Sequence, residues 1–82
     1  MKLSFYTPDG IHYEEEAISV VVPLIDGLAG IMKDHSPMLA KLSDGIVKGT
    51  GSKNQFKYSV KNGFIEILDN KITILADEVI PG

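Results

Sequence analysis

The chain has 82 residues, 44% of them hydrophobic, which is the size of one domain with enough apolar side chains for a core. It contains no cysteine, which excludes disulfide bonds and thiolate-bound metals, and no arginine, which makes a nucleic-acid partner unexpected because arginine best binds phosphate and guanine. The formal charge is −3, and neither a signal peptide nor an apolar run of roughly 18 residues is present, so we expect a chain that is soluble when isolated, without direct membrane insertion.

The N-terminal part alternates apolar and polar residues, which is the pattern of half-buried strands. Leu3-Ser4-Phe5 is the first such segment, and Pro8-Asp9-Gly10 predicts the turn that ends it. A second strand follows over residues 11–14. Residues 17–22 are mostly apolar up to Pro23, which predicts a strand that is covered on both faces or lies near a sheet crossing.

Residues 26–45 combine three glycines with many apolar side chains in no regular period. Surface loops are usually polar, so we expect this segment to fold onto the core or to face a partner. Residues 28–31 predict one short strand within it. Ser36-Pro37 has the form of a helix cap and first helical position, which predicts a single helical turn near 37–42.

That helical turn determines which side chains of the segment would face the core. Leu39 and Leu42 lie three residues apart and would share a buried face, so we expect Leu39→Glu to unfold the domain. Met38 would then project outwards, where its flexible side chain suits a partner contact.

The C-terminal half returns to a two-residue period. Residues 46–48 and 56–61 predict two strands joined by a polar loop. Asn62-Gly63 is the strongest hairpin signal in the chain, with a positive φ expected at the glycine, and Asp69-Asn70 predicts a second tight turn. The tail after Ala76 is too short for another element.

The predicted strands recur about every 8–12 residues, and no segment keeps a helical period beyond about two turns. This pattern is typical of an antiparallel sandwich or flattened barrel. The sequence therefore predicts one all-β domain, monomeric in isolation, with at most one short helical turn.

No group of residues supports catalysis. Asp34-His35-Ser36 has the residue types of a hydrolase triad, but adjacent residues of an extended chain point to opposite sides. His12 and His35 lack paired metal-ligand spacing, and Glu14-Glu15-Glu16 suits a solvated strand edge. Gly27-Leu28-Ala29-Gly30 lacks the lysine-threonine pair of a phosphate loop. We therefore expect a binding module without cofactor or metal.

Four motifs follow one another over nearly the whole chain. The first is Thr7-Pro8-Asp9-Gly10. The central one runs from Gly27 through an apolar pair and His35-Ser36-Pro37 to Gly45, and residues 62–67 and 70–77 complete the set. In this order and spacing they resemble the N-terminal β-sandwich domain of the epsilon subunit of the rotary F-type ATP synthase.

The resemblance implies a ten-stranded sandwich of two five-stranded sheets. It also implies a non-catalytic central-stalk subunit that couples the rotor ring of a proton- or sodium-translocating synthase to the gamma subunit. Such a subunit lies peripherally on the cytoplasmic face of the bacterial membrane. By motif position the resemblance implies that Thr7, His35 and Ala40 face gamma and that Leu28 faces the ring. Met38, which the predicted helical turn exposes beside His35, and Ala29, next to Leu28, complete the residues that we expect to bind gamma or the ring.

Two features distinguish the chain from typical members of that family. Many members carry an acidic or polar residue at the position of Leu28, so an apolar contact with the ring is expected here. Typical members also continue into two α-helices after a segment that matches Leu75-Ala76-Asp77. For the domain 1–82 we expect no such two-helix domain, and therefore neither tight ATP binding nor inhibition of hydrolysis through it.

The residues alone leave an alternative function, a free-standing β-sandwich that binds a peptide or a carbohydrate. Carbohydrate sites expose aromatic rings, whereas this chain has no tryptophan and most of its few tyrosines and phenylalanines occupy inward positions of the predicted strands. A small hydrolase using His35 is a third function, which the missing partner residues disfavour.

Overall fold

The computed structural model describes residues 1–82 as an all-β sandwich without a helix, so it contains no helix that could cross a membrane. Hydrogen bonds join the strands in the order β2-β1-β8-β7-β6-β3-β4, and β5 adds to β7. Only β1 and β8 run parallel. The strands are β1 (Lys2–Tyr6), β2 (His12–Glu16), β3 (Ser19–Leu24), β4 (Gly27–Met32), β5 (Met38–Lys41), β6 (Gly45–Thr50), β7 (Gln55–Leu68) and β8 (Lys71–Pro81).

The two longest strands, β7 and β8, form the centre of the fold. They keep one antiparallel register along their length, and only the pair at Asn62 and Asp77 is missing from it. β6 pairs with residues 55–60 of β7, whereas β5 pairs with residues 64–67. The two halves of these strands therefore support different neighbours, and the sheet folds over between them to enclose one core.

The core consists of 16 buried hydrophobic residues that alternate along the strands with exposed ones. In β7 and β8, Ile65, Ile67, Ile72 and Ile74 all point inwards. Burying one such side chain contributes about 1.5–3 kcal/mol to stability. Phe5 of β1 packs on Tyr58 with ring centroids 4.3 Å apart, which joins the two halves of the sandwich.

The turn predicted at Asp69-Asn70 is confirmed. Both residues have a positive φ, 51° and 61°, which is the backbone of a two-residue type I′ hairpin. This turn joins β7 to β8 and fixes their register. The turn at Pro8-Asp9-Gly10 is also present, with a φ of 92° at Gly10.

The hairpin predicted at Asn62-Gly63 is wrong, because β7 continues through both residues. Asn62 alone has a left-handed φ, 52°. Lys41 donates to its side-chain oxygen at 2.6 Å, its amide group donates to Asp77 at 2.5 Å, and its backbone N–H donates to Asp44 at 2.9 Å. Three tertiary partners thus stabilise a left-handed residue inside a strand where the local signal predicts a reversal.

The helical turn predicted near 37–42 is also wrong, because residues Met38–Lys41 form the strand β5. The exposed edge of β7 offers backbone hydrogen bonds to this segment, and they outweigh the local Ser-Pro signal. Strand alternation then reverses the orientations expected for Leu39 and Met38, whereas Leu42 is buried as expected. Leu39 is 76% exposed, whereas Met38 and Ala40 are half-buried against the core and Leu42 is fully buried.

The structure has eight strands, which is a coarser division than the ten strands that the resemblance implies. One further expectation differs from the structure. The tail after Ala76 is not a separate end segment, because β8 extends to Pro81. The register that begins at the Asp69-Asn70 turn simply continues along β7.

Gly63 is required for packing rather than for a positive φ, and this gives a stability test. A Cβ at Gly63 would lie 3.1 Å from the Ala76 Cβ and 3.2 Å from the Leu75 carbonyl oxygen. Gly63→Val should therefore lower the free energy of unfolding by about 1–3 kcal/mol in urea denaturation. The matched control is Gly30→Val, because a Cβ at Gly30 meets nothing within 4 Å and the change should stay within about 0.5 kcal/mol. Equal losses in both variants would contradict the packing explanation.

Candidate interaction surface

The side chains considered for catalysis or metal binding form neither a triad nor a metal site. No three His, Cys, Asp or Glu side chains come close enough to hold a metal ion. His35 Nδ1 donates to the Ser36 carbonyl oxygen at 2.7 Å, while Asp34 accepts from the Asn70 side chain at 3.2 Å. The side chains of Asp34 and His35 therefore bond to a neighbouring turn and to the backbone, and no side-chain triad joins Asp34, His35 and Ser36.

A cavity of about 720 Å³ is lined by residues of β2, β3, β6, β7 and β8. Tyr58 lines it and donates its hydroxyl to Glu15 at 2.5 Å. Burial, followed by the hydrogen bond to Glu15 and the charge of that residue, raises the pKa of Tyr58. A phenol with a raised pKa keeps its proton at ordinary pH and serves neither as base nor as nucleophile. The contact instead ties β2 to β7.

The residues predicted to face gamma occupy two separate places. Thr7 closes the β1–β2 turn, where its hydroxyl accepts from the Ile11 N–H at 3.1 Å and donates to Asp9. His35 is half-buried in the β4–β5 loop, and Met38 and Ala40 lie half-buried in β5. The structure does not bring Thr7 into contact with this second group, because other strands lie between them.

A row of exposed apolar side chains lies between these two places. Tyr6 pairs with Leu75, and Leu75 pairs with Phe64. Phe64 pairs in turn with Lys41 of β5, whose ammonium group lies 4.7 Å from the ring centroid. The outer face, as we call it, consists of Tyr6, Leu39, Phe64 and Leu75, which are between 39% and 76% exposed. It therefore connects the Thr7 turn with β5 through one continuous surface.

The residues predicted to face the ring lie in β4. Leu28 is 76% exposed, whereas Ala29 is half-buried against the core. Leu28 and Ala40 line the same groove of about 340 Å³, together with Ile25 of the β3–β4 turn. The two predicted sets of residues thus approach each other around this groove.

Sequence reasoning missed the outer face, although a signal for it was present. Residues 64–68 are apolar at both alternating positions except at Glu66. Because Ile65 and Ile67 point inwards, Phe64 and Leu68 must point outwards. A strand that is apolar on both sides has either two covered faces or one exposed apolar row, and an exposed apolar row marks an interaction site.

The chain is similar to known sequences of one family. The family model of the β-sandwich domain of the ATP synthase delta/epsilon chain matches residues 1–82. The ATP synthase epsilon chain of Desulfitobacterium hafniense is 38% identical over 80 residues, covering 98% of this chain and 61% of the relative. The epsilon chain of Chlorobium limicola is 37% identical over 79 residues, which cover 95% of this chain and 90% of that relative. The chain thus spans about three-fifths of the length of the first relative.

Solved structures show the same fold at low sequence identity. A chain of the Euglena gracilis mitochondrial ATP synthase, in a cryo-EM structure of its OSCP, F1 and c-ring, gives a TM-score of 0.83 at 20% identity, covering 96% of this chain and 51% of that chain. A chain from the central stalk and c-ring of the Tetrahymena thermophila mitochondrial ATP synthase gives a TM-score of 0.78 at 15% identity. The match covers 98% of this chain and 65% of that chain. Both likenesses establish the sandwich fold.

The raised pKa of Tyr58 gives a test of the contact between Tyr58 and Glu15. The folded chain keeps this proton to a higher pH than the unfolded chain, so unfolding releases it above about pH 10 and the free energy of unfolding falls there as pH rises. Tyr58→Phe should be less stable at neutral pH by about 0.5–1.5 kcal/mol, because it loses the hydrogen bond. Its stability should fall less steeply above pH 10.

Urea denaturation between pH 8 and pH 11 measures this difference. The control is the variant Tyr6→Phe. Because Tyr6 is exposed, the free energy of unfolding of this variant should depend on pH as it does in the parent chain. Parallel curves for Tyr58→Phe and the parent above pH 10 would show that the Tyr58 proton is not coupled to folding.

Proposed function

The chain belongs to the family of ATP synthase delta/epsilon-chain β-sandwich domains, and we propose that it is a non-catalytic central-stalk subunit. In this role it couples the membrane rotor ring of a proton- or sodium-translocating ATP synthase to the gamma subunit. The observation that carries the proposal is the family match over residues 1–82. The relatives named ATP synthase epsilon chain, and the similar chain from a central stalk and c-ring, support it.

The chemistry of the surface favours a binding role over a catalytic one. The outer face presents large apolar side chains with polar residues at its margin, which is the composition of a protein interface. Lys41 beside Phe64 and His12 stacked on Tyr6, with ring centroids 4.5 Å apart, form part of that margin.

The gamma subunit is proposed to cover the outer face and the predicted residues at its two ends. Thr7 lies at one end, beside a groove of about 300 Å³ that Tyr6 and Leu75 also line. His35, Met38 and Ala40 lie at the β5 end. Since the side chains of Met38 and Ala40 point towards the core, gamma would reach these two residues along the open edge of β5. Leu39 joins this set, since it is the most exposed side chain of β5. A partner that spans both ends would bury the whole apolar row.

The rotor ring is proposed to meet the β3–β4 turn and the start of β4. Leu28 and Ile25 are each 76% exposed there, and Ala29 follows them in the strand. These side chains offer an apolar contact rather than a charged one. The domain would then lie peripherally at the cytoplasmic face of a bacterial membrane as part of the synthase. When isolated, it would be a monomer.

The finer sheet architecture is part of the proposal. Division of β7 and β8 at the missing pair, Asn62 and Asp77, turns eight strands into ten segments. One sheet would contain β2, β1, β5 and the halves of β7 and β8 next to their connecting turn. The other would contain β4, β3, β6 and the remaining halves. The pairing of β5 and β6 with different halves of β7 supports this division.

A pair of β8 variants tests which face gamma covers. Leu75 and Ile80 are exposed to a similar extent, 57% and 50%, but Leu75 lies in the outer face and Ile80 in the other half of β8. Leu75→Glu should weaken gamma binding about tenfold or more, because an unpaired charge would be buried at the contact. Ile80→Glu should bind within about twofold of the parent chain.

Calorimetric titration of each folded variant with purified gamma subunit gives the two affinities. Both variants should keep the β-type circular dichroism of the parent chain, since both side chains are exposed. Equal affinities for the two variants, or the larger loss in Ile80→Glu, would contradict the assignment of the outer face.

A further inference from the structure

Four strand edges of the fold have no neighbouring strand, namely those of β2, β4, β5 and the C-terminal part of β8. Such edges carry unpaired backbone groups, and proteins protect them with charges, proline or short length. β5 has only four residues and includes Lys41. The edge of β2 is protected by His12, Glu14, Glu15 and Glu16, and the edge of β8 is protected by Glu78 and Pro81.

β4 has none of these protections. Its six residues, Gly27–Met32, contain neither a charge nor a proline, and it pairs only with β3. Leu28 and Met32 are 76% and 64% exposed on the same side of the strand. Between them, Gly30 leaves an open notch, because a Cβ there would meet no atom within 4 Å. The strand therefore combines an open backbone edge with two exposed apolar side chains.

Opposite charges flank this uncharged edge. Asp26 precedes the strand and Lys33 follows it, and both side chains are exposed. The three ion pairs of the structure involve neither of them. A segment that lies along β4 would meet a negative charge at one end and a positive charge at the other.

We propose that β4 receives an extended segment of a partner subunit by strand addition. The fitting segment has about six uncharged residues with apolar side chains at alternate positions, a basic residue opposite Asp26 and an acidic residue opposite Lys33. One bulky apolar side chain fills the notch at Gly30, between Leu28 and Met32. This inference rests on the proposed function, because Leu28 and Ala29 belong to its partner-binding residues.

Strand addition differs from side-chain docking in what happens to the backbone. In an antiparallel pair, alternate amides of β4 donate to β3 and the others point away from it. An added strand accepts hydrogen bonds from those outward amides. Side-chain docking on Leu28 leaves them free to exchange with water.

Residue-resolved hydrogen exchange, in the free chain and in the purified complex with gamma and the rotor ring, separates these cases. The outward amides of residues 27–32 should exchange about a hundredfold more slowly in the complex. If the complex forms and these amides exchange at unchanged rates, strand addition is overturned while the proposed function stands. If the chain does not join the complex, the proposed function fails and the inference fails with it.

A matched pair of variants at Gly30 gives an independent test. Gly30→Lys has room for its side chain and places a protective charge in the middle of the edge, whereas Gly30→Ala adds no charge. Both should unfold thermally close to the parent chain. Gly30→Lys should weaken assembly into the complex about tenfold or more, and Gly30→Ala should stay within about twofold. Equal assembly of the two variants would overturn the inference.

Discussion

The continuous pairing of β7 with β8 is the constraint on which the rest of the structure depends. β1, β5 and β6 all add directly to these two strands, and β2, β3 and β4 build outwards from there. Because the same two strands serve both halves of the sandwich, the sheet must fold over along their length. The left-handed backbone of Asn62, its three tertiary hydrogen bonds and the tight packing at Gly63 all lie where it does so.

The same register produces the surface proposed to bind gamma. Each strand residue that points into the core fixes its neighbours on the opposite face, so burial of Ile65 and Ile74 exposes Phe64 and Leu75. β1 adds Tyr6 to this row on one side. A contact built in this way is as rigid as the core behind it, which suits a subunit proposed to transmit rotation. The β4 edge, at the far end of the strand order, is available for a second kind of contact.

Sequence patterns predict the parts of this fold that depend on neighbouring residues. The Asp69-Asn70 turn and the strand alternation of residues 56–60 are of this kind, and both are confirmed. Asn62-Gly63 has an equally strong local hairpin signal, but its conformation depends on partners 15 to 21 residues away in the chain. Ser36-Pro37 likewise predicts a helical turn, although the edge of β7 converts the following residues into a strand. The sequence motifs are sufficient to predict the family. The exposure of Leu39, in contrast, follows only from the pairing of β5 with β7.

The central claim is that the outer face contacts the gamma subunit in the assembled stalk. A photo-reactive amino acid in place of Phe64 tests it most directly, with the same substitution at Ile46, an exposed apolar residue of β6, as the control. After irradiation of the assembled complex, cross-links to gamma are expected from position 64 and not from position 46. Cross-links to gamma from position 46 alone would contradict the claim and place gamma on the opposite side of the sandwich.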